Sequence, residues 1–189
     1  MTLREFYVAD LGQLRDASQR MLLEWPLLAA RAELPALRSA LDQHYSSTQL
    51  QLSQLESLLT DLDERPRPAL TDVLTGLLAA WHLRHTQLDR AELRDLCVDS
   101  TALAVNCHTF TVFGEAATLA AAVNHVEGMR LLPQTVGIHH TAIQRLGELK
   151  DDIATQLAAT SPTQWSTALM PVRGQRTHAT APASAVPGP

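Results

Sequence analysis

Histidine is the residue type in this sequence that is best suited to metal chemistry without carboxylates. Neutral imidazole binds zinc, copper or nickel, and the chain contains eight histidines. His82 and His85 lie three residues apart in a predicted helix, a spacing compatible with one shared metal ion. Two ligands alone make a weak site, and a solvated helix face explains the pair equally well. The pair by itself therefore does not predict a metal centre.

Other chemical signatures are missing from the sequence. It has no nucleophilic triad, phosphate-binding loop or zinc-knuckle pattern, and Gly76 stands without neighbouring glycines inside a helix. The net charge is −5, and Lys and Arg form no basic patch. This argues against nucleic-acid binding, which depends on cationic contacts to phosphates. The sequence thus favours neither an enzyme nor a nucleic-acid partner.

The predicted location follows from hydropathy. Residues 1–10 include acidic side chains and lack an apolar run behind a basic flank. Nowhere does the chain approach the roughly 20 consecutive apolar residues that a membrane span requires. We therefore expect a cytoplasmic protein with no membrane partner.

The elements that must position any site are helices. Apolar residues make up 46% of the chain and aromatic residues only 4%, which indicates a core built from Leu, Ala and Val. These residues recur at spacings of three, four and seven, the pattern of amphipathic helices, and no stretch alternates with period two. The predicted helices cover residues 2–32, 37–61, 70–88, 91–122 and 126–158.

The breaks between these segments predict the domain organisation. Short connections between long helices are typical of an up-and-down bundle, and residues 61–68 combine charge with two prolines, which predicts a loop. Residues 1–158 should form one helical domain. Residues 159–189 are rich in Pro, Ala and Thr and lack periodicity, so we expect a flexible tail.

Four segments of the chain together form a recognisable sequence pattern. The first is EFYVADLGQLRDASQRML at residues 5–22. The later matching positions are Leu41, His44, Thr48, Gln51 and Leu55, then Val105, His108, Phe113 and Gly114, then Leu131, Leu132, Thr135, Leu146 and Leu149. With this pattern the chain resembles the YciE/YciF family of bacterial stress proteins over about residues 3 to 150.

The resemblance implies an all-α, ferritin-like up-and-down four-helix bundle with an additional C-terminal helix. Members of the family are commonly homodimers and act in stress responses, and their biochemical activity is poorly defined. The resemblance therefore predicts the fold more sharply than the function.

The resemblance also bears on a di-iron site. Ferritin-like di-iron proteins hold their metals with Glu and Glu-x-x-His side chains from facing helices. At the corresponding positions this chain has small or neutral residues and one histidine: Ser18, Ser46, Ser47, Gln49, Thr75, Asn106, Thr109 and His139. No acid is expected at an inward position nearby, and Glu115 and Glu148 should lie well away. We predict a degenerate site without a metal cofactor, whose substitutes stay buried and hydrogen-bond one another or water.

One alternative keeps a metal. The resemblance places His44, His108, His139 and His140 near the level of the former site, where they would form a histidine-based centre for a transition metal. Against this, His44 matches a residue that the family carries beside its carboxylates, and the adjacent His139 and His140 must point in different directions. The sequence therefore predicts a non-catalytic structural or interaction protein, with a metal-binding or iron-handling oxidase role as the alternative.

Overall fold

The computed structural model describes residues 1–64 and 72–160, and in this part of the chain it contains five α-helices and no β-strand. They are α1 (Leu3–Arg31), α2 (Pro35–Asp61), α3 (Asp72–His85), α4 (Ala91–Ala122) and α5 (Val126–Thr160). The structure thus confirms the helices that apolar periodicity predicts. Most of the predicted loop, from residue 65, and the predicted tail from residue 161 lie outside the described residues.

Contacts at the helix ends establish the direction of the four long helices. Arg4 at the start of α1 donates to the carbonyl of Leu62, just after α2, at 3.0 Å. The backbone N–H of Glu33, just after α1, donates to the Asp95 carboxylate at the start of α4 at 2.7 Å. α1 is therefore antiparallel to both α2 and α4. The short turn between Ala122 and Val126 makes α5 antiparallel to α4, so α1 and α5 run in one direction and α2 and α4 run in the other.

This arrangement is the ferritin-like bundle, in which one long crossover joins two helical hairpins. The predicted up-and-down order holds within the hairpins α1–α2 and α4–α5. Between them, α2 and α4 run parallel, and the crossover contains α3, which packs on α4. The additional helix was expected at the C-terminal side. In the structure it is the short α3 of the crossover, and α5 is one of the four long bundle helices. No described helix is long and apolar enough to cross a membrane.

Local sequence explains where the helices begin and end. Thr2 and Glu5 form a capping box at α1, with each side chain accepting from the other residue's backbone N–H. Asp63 and Asn124 adopt φ of 51° and 60° after α2 and α4. The N–H of the residue after each then bonds back to the carbonyl five residues earlier, as in a Schellman motif. Aspartate and asparagine tolerate this left-handed conformation better than most residues.

A hydrogen-bonded chain of side chains ties the α4–α5 turn to α1 and α2. His125 Nε2 lies 2.8 Å from Asp61 Oδ2, and His125 Nδ1 lies 2.9 Å from the hydroxyl of Tyr7. Because a carboxylate can only accept, Nε2 carries a proton, and Nδ1 faces the tyrosine hydroxyl. Tyr7 is fully buried, and burial raises the pKa of its hydroxyl to about 12. The neutral phenol therefore remains a donor at this end of the bundle.

The apolar core consists of two clusters separated along the bundle axis. On α2 one cluster ends at Leu41 and the other begins at Leu55. On α5 the corresponding residues are Leu146 and Leu132. The interval between the clusters contains buried polar side chains from all four long helices: Ser18, His44, Thr48, Gln51, Asn106, Thr135 and His139. We call this set the polar layer.

Candidate functional site

The polar layer receives side chains from all four long helices, and its members are deeply buried. Asn106 is 1% exposed, Gln51 and Thr135 are each 2% exposed, and His139 is 6% exposed. Buried polar groups are costly unless they are hydrogen-bonded. The partners of these side chains therefore determine what the layer can do.

Asn106 and His139 form the central pair of the layer. Asn106 Nδ2 donates to the carbonyl of Ala102 at 2.9 Å, which turns its Oδ1 toward His139 Nδ1 at 3.0 Å. Since Oδ1 can only accept, Nδ1 of His139 must carry the proton. In a neutral ring Nε2 then has an unprotonated lone pair, and this buried atom has no hydrogen-bond partner among the described residues.

Aromatic side chains pack against both buried histidines. Phe113 stacks on His139 with ring centroids 5.3 Å apart, and Trp25 stacks on His44 at 5.1 Å. Trp25 Nε1 also donates to the hydroxyl of Thr48 at 2.9 Å, and that hydroxyl donates to the carbonyl of His44 at 2.8 Å. Both imidazoles are thus held by ring packing, and that of His139 is held by its hydrogen bond to Asn106 as well.

Burial keeps both histidines neutral. It lowers the pKa of His44 to about 4, with a smaller contribution from the charge of Arg145. It also lowers the pKa of His139 to about 4, and the proximity of His44 adds to this shift. Neutral imidazole is the form that binds metals. Nevertheless, no group of three or more His, Cys, Asp or Glu side chains within residues 1–64 and 72–160 is arranged to hold a metal ion.

The sequence of this bundle matches a known family over most of its length. Residues 2–159 match the model of the family described as DUF892, a domain of unknown function. The chain belongs to the DUF892 family. No curated protein matches the sequence.

Two solved structures resemble this DUF892 member. YciF, a stress protein of E. coli, has a TM-score of 0.77 and 17% identity, covering 82% of this chain and 99% of that one. YcfI of Rhodopseudomonas palustris, whose proposed role is structural, has a TM-score of 0.74 and 19% identity, covering 78% and 94%. At such identities the likeness shows the fold alone. Together with the family match it confirms the resemblance to YciE/YciF proteins.

The structure brings together only part of the set of former metal-site positions predicted for this DUF892 member. Ser18, Asn106 and His139 lie in the polar layer. Ser47 is half-buried between α2 and α5, and Thr109 is half-buried with its hydroxyl donating to the carbonyl of Val105.

Three positions of that set do not face the layer. Ser46, Gln49 and Thr75 are exposed. The hydroxyl of Ser46 donates to a carbonyl of its own helix, and Gln49 bonds to Tyr45 on the same helix surface. Thr75 lies on α3, outside the four long helices, where it accepts from Arg20 at 3.1 Å. Placing these three at a site inside the bundle was wrong, because their side chains point to its outer surface.

The four histidines of the alternative site also separate. His44 and His139 both lie in the polar layer, close enough for one to affect the pKa of the other. His140 is exposed beside Phe110, and half-buried His108 lines a small cavity with Thr109 and Gln13. A histidine-based site in this DUF892 member would therefore have two imidazoles, and not four.

Sequence reasoning missed the burial of three acids, of which Asp95 accepts from the backbone N–H groups of Glu33 and Leu34. Asp99 of α4 is 0% exposed, and Asp10 of α1 is 9% exposed. Burial raises the pKa of Asp99 to about 7, opposed by the charge of Lys150, and raises that of Asp10 with help from Glu115. Both oxygens of Asp99 lack a hydrogen-bond partner among the described residues. Asp99 lies inward but two helical turns from Asn106, so it is not near the predicted metal-site positions of α4. Its burial had a signal in the sequence, because Asp99 lies one heptad before Asn106, on the same face of α4.

Proposed function

We propose that this DUF892 protein is a non-catalytic structural or interaction protein of a bacterial stress response, and that its polar layer is a degenerate metal site. The observation that carries the proposal is the hydrogen bond between Asn106 and His139 at the centre of the layer. This bond joins two neutral side chains of facing helices inside the bundle core, where di-iron bundles have inward-projecting carboxylates. The descriptions of YciF as a stress protein and of YcfI as having a proposed structural role are consistent with it.

The charge of the layer supports this proposal. A pair of iron or manganese ions needs several anionic oxygen ligands to offset its charge. None of the seven members of the layer is an acid, and burial keeps its two histidines neutral. Asp99 lies two helical turns from Asn106, at a separation of about 10 Å along the axis, which is too far for it to share a metal with that residue.

A second candidate function rests on the unpaired Nε2 of His139. This buried lone pair and the neutral ring of His44 are the ligand type that copper, zinc and nickel prefer. The site would have two protein ligands, and water or an exogenous ligand would complete the coordination. That chemistry corresponds to metal binding or redox activity at a histidine-based site.

Metal analysis of protein purified without an affinity tag separates the two candidates. For a degenerate site we expect well below one iron, manganese, zinc or copper ion per chain, and no oxygen-dependent ferrous oxidation above that of buffer. About one zinc or copper ion per chain, lost in His139→Gln and retained in the exposed control His140→Gln, would instead establish the histidine-based site. About two iron ions per chain would contradict both candidates.

The proposal includes a homodimer in the cytoplasm, as the family resemblance implies. Large apolar side chains on three helices are well exposed in the single chain, namely Leu23 at 72%, Leu83 at 65% and Val126 at 68%. Sedimentation velocity at micromolar concentration should give about twice the chain mass of 20.7 kDa. A mass that stays at 20.7 kDa across the accessible concentration range would remove the dimer from the proposal.

A further inference from the structure

A cavity of about 400 Å³ lies between α2 and α5, next to the polar layer. Its volume is in the range of sites for small organic molecules. Exposed residues of α5 border it, among them Ile138 and Thr141, so it communicates with solvent. Buried Ala40 and Leu146 belong to its lining, which gives it an apolar floor.

Small side chains on the facing helices leave this space open. Ala40 and Ser47 of α2 lie across from Gly137 and Ala142 of α5. A Cβ atom added at Gly137 would meet nothing within 4 Å, so close packing does not require the glycine. Glycine inside a helix costs about 1 kcal/mol relative to alanine. Nothing in the packing of this helix offsets that cost, and an empty side-chain position widens the cavity.

The charge of the cavity lining favours an anionic ligand. Arg145 is its single charged residue, and the lining contains no acid. Arg145 Nη1 donates to Gln43 Oε1 at 2.9 Å, and no carboxylate of the described part of the chain forms an ion pair with it. The remaining guanidinium donors are thus available in a fork that matches a carboxylate. This guanidinium, with no ion-pair partner in residues 1–64 and 72–160, belongs to a chain whose net charge is −5.

His44 provides a second polar group at the inner wall of the cavity. It is nine-tenths buried and lines the cavity, while its ring is held by the stacking of Trp25. None of the described residues hydrogen-bonds to its imidazole nitrogens, although a neutral ring offers one donor and one acceptor. An unpartnered polar side chain at this depth indicates a site that a ligand or water completes.

We propose that this cavity binds a small organic carboxylate whose anionic group pairs with Arg145 and whose short apolar body lies against Ala142 and Leu146. The His44 ring contacts the bound molecule from the inner wall. A cation is disfavoured by Arg145 and by the absence of acids in the lining. The site shares His44 with the polar layer but does not include the Asn106–His139 pair, so the inference goes beyond the proposed function and can fail without affecting it.

The test uses the full-length protein, sodium hexanoate, and its neutral counterpart hexanamide. Isothermal titration should give a hexanoate Kd of about 0.1–5 mM, as expected for so small a molecule. Hexanamide should bind at least about tenfold more weakly, since it lacks the charge-assisted bond to arginine. The nitrogen signals of the His44 ring should shift on addition of hexanoate in long-range 1H–15N spectra.

Variants locate the binding. Arg145→Gln should weaken hexanoate binding about tenfold or more, while Arg130→Gln on the same helix, an exposed residue that pairs with Glu127, should leave it unchanged. Gly137→Leu should fill the cavity and abolish binding while the helix stays folded, because leucine is the better helix former. Equal affinity for the acid and the amide, unchanged binding in Arg145→Gln, or no binding at about 20 mM hexanoate would each overturn the proposal.

Discussion

Gly128→Ala should lower the free energy of unfolding by about 2–4 kcal/mol, although alanine normally stabilises a helix. A Cβ atom at this position would clash with the hydroxyl of Tyr7, and it would lie 2.8 Å from His125 Nδ1 and 2.9 Å from the Cβ of Ala120. The fully buried tyrosine would have to move and lose its bond to His125. Overpacking and an unsatisfied buried hydroxyl each cost about 1–3 kcal/mol.

Urea denaturation of two further variants separates this cause from a general effect of alanine. Gly147→Ala lies in the same helix with nothing within 4 Å of its new Cβ, so it should stabilise the protein by up to about 1 kcal/mol. Combining Gly128→Ala with Tyr7→Phe removes the nearest clashing atom and should cost less than the sum of the single changes. If Gly128→Ala proves as stable as the parent, the close packing of the α4–α5 turn against α1 is refuted.

The Asp99→Asn variant should become progressively more stable than the parent as pH rises from about 4 to 7. Burial raises the pKa of Asp99 to about 7, whereas in the unfolded chain it has its ordinary value near 3.8. Between these values the folded chain retains a proton that the unfolded chain has released, so stability falls as pH increases. Asparagine does not titrate, and at pH 8 the variant should be more stable by about 1–3 kcal/mol.

The informative quantity is the difference in free energy of unfolding between Asp99→Asn and the parent. The lowered pKa values of His44 and His139 act in the opposite direction, since their contribution to stability is lost as pH falls from about 6.5 toward 4. That contribution is common to both proteins and cancels in the comparison. Asp152→Asn, which changes an exposed acid of α5, should show no such trend. A constant difference between Asp99→Asn and the parent from pH 4 to 8 would show that Asp99 is ionised normally.

Local signals in the sequence were sufficient for the helices but not for their arrangement. Pro35 and Asn124 mark helix boundaries through their own backbone preferences, so the breaks beside them were predictable. The parallel direction of α2 and α4 depends on the path of the crossover, which no local pattern encodes. Thr75 was misplaced for this reason, because α3 belongs to the crossover and not to the four long helices.

The candidate site was predictable where polar residues interrupt an apolar face. Asn106 and His139 occupy such positions and do meet in the core. Asp99 occupies one as well, but a carboxylate on a helix is usually solvated, and its burial depends on the neighbouring helices. The cavity beside His44 depends on the separation of α2 and α5, which side-chain periodicity does not determine.

The interval between the two apolar clusters also affects which alternative packings the bundle can adopt. A core of Leu and Ala alone would tolerate sliding of one helix past another by a heptad, because the apolar stripes would still meet. Here such a slip would separate Asn106 from His139 and Trp25 from Thr48, leaving several polar groups buried without partners. The polar layer thus fixes the axial register of the helices, and it does so by excluding shifted packings rather than by adding stability to the native one.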